Sequence, residues 1–334
     1  MKKMASIGEF GWLKKLLPRL YWPGSIKSQL CIGPGDDAGA LRVSHGKVLV
    51  ATTDAMVEGI HFERRWFGWR DLGYKILAVN LSDLAAMGDV KPLAALVTVA
   101  FPGDTAVDSV DKFYQGMESC AQKWKTGFLG GDTVGSKKGC FISVTLFGEA
   151  NPRSLVKRSG AKPGDYLVTT GALGLAAAGL EVLQSGKSRL SWTKPLIQAF
   201  SHPQPRFAEG KIFGRNHWAT SLMDSSDGLE ASIRLVAEAS GTGAEVDLTL
   251  LPVPMPLSRW ARLRGRHPWD YALKGGEDYE LLATVRPQNW NAVRRRLPDA
   301  MVIGRILPKD KGCWAVLPGR RIPLTSYGFT HFAA

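Results

Sequence analysis

Cysteine is scarce: Cys31, Cys120, Cys140 and Cys313 are the only four among 334 residues, and no two form a C-x-x-C pair. That spacing suggests neither a disulfide framework nor a zinc site, and leaves reduced, packed thiols as the expectation. Long apolar runs are missing too. No segment offers the ~18 uncharged apolar residues of a spanning helix. The opening MKKMASIGEFGWLKKLLPRL is interrupted by Glu9, Lys14, Lys15 and Arg19, so it lacks the continuous apolar stretch of a signal peptide. A soluble, cytoplasmic protein with no membrane partner is expected. Polar low-complexity tracts and fixed-period repeats are absent, which sets aside disorder and solenoids.

Acidic charge is in the minority, with 30 Asp and Glu against 43 Lys and Arg for a net charge of +13. From Leu251 to Ala334 there are 14 basic and 6 acidic residues, including the run Arg294, Arg295, Arg296. Such a concentration raises the hypothesis of nucleic-acid binding, whose mark would be a steep salt dependence of binding to random DNA or RNA. The plainer reading is a solvated helix surface. What the chain does have is 45% hydrophobic and 9% aromatic content over a length that suits two folded domains.

Strand and helix patterns alternate along it. VLVATT (48–53) is rich in β-branched residues and predicts a strand ending at Asp54. Residues 71–87 read as a helix with Asn80 and Asp83 on one face, 93–101 as a buried strand, 105–125 as an amphipathic helix and 140–149 as another strand. The stretch NPRSLVKRSGAKPGD (151–165) holds two prolines and two glycines and interrupts the alternation. It divides the chain into domains 1–152 and 153–334. The pattern then resumes with a strand at 166–170, a helix at 174–185, and SLMD (221–224) leading to a helix near Asp227. The fold class expected is α/β, or α+β, in two domains.

The aspartates carry the chemistry. GPGDDAGA (33–40) places Asp36 and Asp37 in a glycine-rich loop where a phosphate loop would carry lysine. Asp54 stands in ATTDAMVEGIHF, Asp83 in NLSDLAAMG, Asp132 in LGGDTVG, and Asp224 and Asp227 in MDSSDGLEA. Singly each has a dull explanation: Asp227 as a helix N-cap, Asp36 as a brace for its own turn, Asp83 as a solvated helix residue. Together, flanked by Thr52, Thr53, Ser82, Thr133 and Ser226, they form an oxygen-rich set suited to Mg²⁺. Gathered carboxylates repel one another unless cations sit between them. The aspartates would hold Mg²⁺, the metal would hold phosphate oxygens, and the glycines would admit the backbone. Such a site suits phosphoryl transfer without a protein nucleophile.

Other residues carry two readings each. His61 is either a substrate contact or a structural imidazole, and Arg158 either a phosphate clamp or a linker charge. GGEDYEL (275–281) is an acidic hairpin or a substrate loop, and the glycines of TTGALGLAAAGL (169–180) mark either an anion site at a helix start or close helix packing.

GPGDDAGAL, TTDAMVEGIHF, GYKILAVNLSDLAAMGDVKP, GGDT, RSGAKPGD, DSSDGL, GGEDYEL and the terminal GFTHF occur in an order and at spacings that resemble the thiamine-monophosphate kinase family over nearly the whole chain. Gly39 and Thr330 depart from the family pattern, standing where it usually has alanine and aspartate. The resemblance implies a two-domain aminoimidazole ribonucleotide synthetase-like fold. Its N-terminal sheet would pair with that of a second subunit in a dimeric barrel, a C-terminal α/β domain would pack against it, and ATP would bind between domains. It implies ATP-dependent phosphorylation of thiamine monophosphate to thiamine diphosphate, the last step of that cofactor's biosynthesis. Carried over by motif, Asp37, Thr52, Thr53, Asp54, Asp83, Asp132, Asp224 and Asp227 are the expected Mg²⁺ shell, with Asp54 and Asp227 most critical and Asp36 beside it. Gly131, Asp132, Arg158 and Ser226 are the expected ATP contacts, and His61, Glu277 and Phe329 the expected contacts to thiamine monophosphate. Rival readings are a sister ATP-using member, selenophosphate synthetase-like or hydrogenase-maturation-like. The first lacks a reactive cysteine setting around Cys31, the second a cysteine-bearing tail. The nucleic-acid reading ranks below both, because the informative residues are acidic.

Overall fold

Alternation of buried and exposed side chains along VLVATTDAMV builds the central strand of the first half. The computed structural model describes residues 30–32, 36–42, 46–188 and 190–328. The opening segment and Phe329, an expected substrate contact, lie outside these. In order come β1 (Leu30–Ile32), β2 (Gly39–Arg42), β3 (Val48–Val57), α1 (Trp69–Ala86), β4 (Gly88–Pro102), α2 (Val107–Trp124), β5 (Gly127–Ser136) and β6 (Phe141–Leu155). The sheet order is β1-β2-β3-β6-β4-β5. Only β4 and β5 are parallel, as the α2 crossover between them requires. On the inner face Val48, Val50, Val97, Val99, Ile142, Val144 and Leu146 pack with Ile76, Leu77 and Leu81 of α1.

The second half contains β7 (Tyr166–Thr169), α3 (Leu175–Gln184), α4 (Lys194–Ser201), α5 (Phe207–Arg215), β8 (Ala219–Asp224), α6 (Leu229–Ser240), β9 (Gly243–Asp247) and α7 (Met255–Leu263). It ends with α8 (Pro268–Lys274), β10 (Leu281–Val285), α9 (Pro287–Arg296), β11 (Met301–Leu307), β12 (Cys313–Leu317) and β13 (Arg320–Pro323). These strands form one sheet, β13-β12-β9-β11-β7-β10-β8. Neighbouring residues alternate between two cores. Leu167, Met223 and Leu282 join one with Ile233 of α6, while Val168, Leu222 and Leu281 join another with Phe213 of α5 and Val293 of α9. Both faces are therefore covered, which explains why β10 reads as an unbroken apolar run.

Two expectations about extent are corrected. The strand predicted to stop at Asp54 runs to Val57, because β3 stays paired with β6 out to Phe141. The linker expected from 151 begins later, since β6 remains paired to β4 through Gly88 and Leu155. Among the described residues the first sheet is open, with β1 and β5 as its edges. No closed barrel forms among these described residues. The halves are held close by glycines of α5: a Cβ on Gly210 would sit 2.2 Å from the Ala85 carbonyl oxygen, and one on Gly214 2.3 Å from that of Ser154.

Candidate active site

Carboxylates from both halves converge where α1, β3 and β8 meet. Oxygens of Asp37, Asp83 and Asp224 lie within 4.8 Å of one another. Each is fixed from behind. Thr52 Oγ1 donates to Asp83 Oδ2 at 2.5 Å, Ser82 Oγ to Asp224 Oδ2 at 2.5 Å, and Arg158 Nη2 to Asp37 Oδ1 at 2.7 Å. Asp54 is held through its backbone, whose N–H donates to Asn80 Oδ1 at 3.1 Å, while Asn80 Nδ2 donates to the Ile76 carbonyl. Asn80 and Asp83, one helical turn apart, thus both reach β3, as their spacing predicts. Asp36 does a different job: its carboxylate accepts the Arg158 backbone N–H at 3.1 Å and that of Asp37 at 3.0 Å, tying the loop to the second half.

The electrostatics of the cluster suit a cation. Burial, with Asp227 and Asp37 nearby, pushes Asp54 up to about 6. Burial and Asp37 push Asp224 up to about 8, against the pull of its Ser82 hydrogen bond. Asp83 is raised well above the usual carboxylate range by burial and by Asp54 and Asp224. Asp37 is raised by burial despite its Arg158 partner. Asp37 Oδ2 is buried without a hydrogen-bond partner among the described residues. Clustered, desolvated carboxylates with an orphaned oxygen and a threonine hydroxyl fit a hard divalent cation such as Mg²⁺.

A cleft of about 1220 Å³ joins this cluster to the expected substrate residues. Asp54, Asp83, Ser226 and Asp227 line it together with His61, Glu277 and Tyr279. His61 Nδ1 accepts the Val57 N–H at 3.0 Å, so a neutral ring carries its proton on Nε2. GGEDYEL is a loop rather than a hairpin. Its backbone is sewn to the DSSD turn by Glu277 N–H to the Ser226 carbonyl at 2.6 Å and Tyr279 N–H to the Ser225 carbonyl at 3.0 Å. Glu277 and Tyr279 both adopt positive φ, 67° and 53°, a strained arrangement for side-chain-bearing residues. Asp278 fills the start of α3, accepting the N–H groups of Gly174 at 2.6 Å and Ala176 at 3.0 Å. A side chain of the protein itself thus occupies the anion site that the glycines around 171–176 suggest.

Some expected residues are not brought into the cluster. Alternation along β3 turns Thr53 to the opposite sheet face, where its hydroxyl donates to the Val144 carbonyl at 3.0 Å. Asp132 lies on the exposed edge strand β5, in register with Thr98. Gly131 is required there by close approach, since a Cβ would meet the Val97 carbonyl oxygen at 2.0 Å. Asp227 is not the N-cap of α6, a position taken by Gly228. Sequence reasoning passed over Lys75 and Tyr279, and named Ser82 only as a neighbour of the acidic set. A lysine inside the apolar run GYKILAV was a legible signal for the first. A second cavity, of about 680 Å³, lies on the C-terminal sheet beside Tyr166 and Trp290. Its acids are engaged, Glu245 with Arg321 and Asp247 with Thr249.

Family models described as AIR synthase related protein, N-terminal domain and C-terminal domain match residues 35–150 and 162–313. Thiamine-monophosphate kinase of Bacillus subtilis (strain 168) is 34% identical over 295 residues, covering 86% of each chain. Its counterpart in Escherichia coli (strain K12) is 34% identical over 335 residues, covering 98% of each. The solved complex of AaThiL with AMPPCP and TMP superposes with a TM-score of 0.87 at 32% identity, covering 99% of both chains. The chain therefore belongs to the AIR synthase related family and, within it, to the thiamine-monophosphate kinases.

Proposed function

We propose that the cleft transfers the γ-phosphoryl group of ATP to the phosphate of thiamine monophosphate, giving thiamine diphosphate and ADP. The observation that carries this reading is one cleft lined by Asp54, Asp83 and Asp227 and also by His61 and Glu277, with oxygens of Asp37 and Asp224 within 4.8 Å of Asp83. An acceptor that is already a phosphate monoester is ionised near neutral pH and needs no strong general base. The barrier is repulsion between two anions, so positioning and charge neutralisation dominate. Asp37, Asp54, Asp83, Asp224 and Asp227, with Thr52, would hold Mg²⁺. Bound there, the metal would neutralise donor and acceptor phosphates. Arg158 steadies Asp37 and adds positive charge at the domain junction. Gly131, Asp132 and Ser226 are assigned to ATP, and His61, Glu277 and Phe329 to the organic part of the acceptor, while Thr53, turned to the other face of β3, is left out of the metal shell. We place the division between the halves after β6 ends at Leu155, a few residues beyond the expected 1–152 and 153–334, and a cytoplasmic location is part of the same reading. A homodimer is part of the same reading, because the outer face of the first sheet exposes Leu96, Val134 and Phe141.

The test is incubation with MgATP and thiamine monophosphate, with thiamine diphosphate resolved by chromatography. Wild-type protein should form product, and Asp54→Asn should lose about 100-fold or more of the rate, as when one charge-stabilising group is removed. A folded, ATP-binding protein that makes no thiamine diphosphate would sink the assignment.

A further inference from the structure

Lys75 has no exposed surface. Its ammonium sits 3.6 Å from the centroid of the Phe200 ring and 5.3 Å from that of Phe67. Its ion-pair partner is Glu277, with Nζ 2.9 Å from Oε1. The contact lies off hydrogen-bond alignment, so charge rather than direction holds it. Burial lowers the Lys75 pKa, and the Glu277 carboxylate raises it again. Ring faces stabilise the charged form as well. A buried ion pair of this kind is poor value for stability alone, because apolar side chains of equal volume commonly do as well. The arrangement needs another reason.

Glu277 supplies one. Its side chain is 28% exposed and faces the cleft, so one carboxylate is shared between a buried cation and a ligand space. Its backbone is fixed at φ 67° and bonded to Ser226. Lys75, Val79 and Asp83 stand at i, i+4 and i+8 on α1, and Val79 and Asp83 both line the cleft. Eight residues of helix span ~12 Å. One rigid helix face therefore carries a metal-cluster carboxylate near one end and the anchor of Glu277 near the other.

We infer that Lys75 is a positioning residue that sets acceptor specificity: through its ion pair it holds the Glu277 carboxylate at a fixed reach from the carboxylate cluster. Glu277 so placed presents an oxygen to an N–H donor or a cationic ring at the organic end of the acceptor, while the phosphate end lies at the cluster. The inference rests on the proposed kinase reading and adds to it the group that tunes the substrate contact.

The experiment is steady-state kinetics of Lys75→Met, Glu277→Gln and the double variant, varying thiamine monophosphate and ATP separately. Lys75→Met should raise KM for thiamine monophosphate about 10-fold or more, with kcat and KM for ATP changed less than about threefold, the pattern of lost binding to one substrate. The double variant should be no worse than Glu277→Gln, because the two act as a unit. An unchanged KM for thiamine monophosphate, or equal losses for both substrates, would overturn the inference while leaving the kinase reading intact. If Lys75→Met does not fold, Lys75→Gln is read by the same criteria. Wild-type protein without turnover would fail the kinase reading itself and remove the inference with it.

Discussion

Neighbouring carboxylates in this protein do unlike work because their oxygens meet unlike partners. Asp36 accepts backbone N–H groups and ties two halves together, while Asp37 keeps one oxygen unsatisfied beside Asp83 and Asp224. Glu277 faces the cleft, whereas Asp278 is turned inward onto the first turn of α3. Burial pushes Asp278 up to about 7, although its two N–H donors pull the other way. A carboxyl whose folded pKa lies above its unfolded value favours the folded state most at low pH. That contribution is full below about 4, the unfolded value, and is lost as pH rises through about 7. Thermal melts at fixed Mg²⁺ should therefore show Tm falling between pH 5 and pH 8, with a shallower fall in Asp278→Asn even if its absolute Tm is lower. Parallel curves for the two proteins would refute this origin.

Helix α1 is the element that makes the site, since Lys75, Asn80, Ser82 and Asp83 all act from it. Its position is set by glycines at the α1–α2 crossing. A Cβ on Gly73 would lie 1.9 Å from the Phe113 carbonyl oxygen, and one on Gly116 1.9 Å from that of Arg70. Neither gap admits a methyl group without backbone movement. Gly116→Ala should lower the urea midpoint, with a stability loss of about 1–3 kcal/mol, and should impair turnover through displacement of α1. A midpoint equal to wild type would show that the helices separate at no cost.

At the scale of the molecule, the two sheets are finished differently. The C-terminal sheet is packed on both faces, whereas the outer face of the N-terminal sheet leaves Leu96 41%, Val134 46% and Phe141 40% exposed, with β5 as an open edge. An apolar face and an unpaired edge together favour self-association. Sedimentation should find a dimer for the wild type and a monomer for Leu96→Glu; a monomeric wild type would refute the dimer. The basic run Arg294, Arg295, Arg296 ends α9, all three exposed. Positive charge at a helix C-terminus is favourable in itself, which accounts for the run without a polyanionic partner. Among the described residues, no helix is long and apolar enough to cross a membrane.

The local sequence determined the alternating elements, because hydrophobic period and turn residues act within a few positions. It also determined which motifs carry acidic oxygens. Only the tertiary structure decided which of them meet. Asp37, Asp83 and Asp224 converge because β8 of the second half docks beside α1, and no spacing along the chain encodes that approach. Strand length likewise came from pairing: β3 continues past Asp54 because β6 offers partners as far as Phe141, and the alternation then turns Thr53 away from the cluster. The Lys75–Glu277 pair joins a helix of one half to a loop of the other. Each partner was visible in its own motif, but their contact depends on long-range packing, which local pattern does not specify.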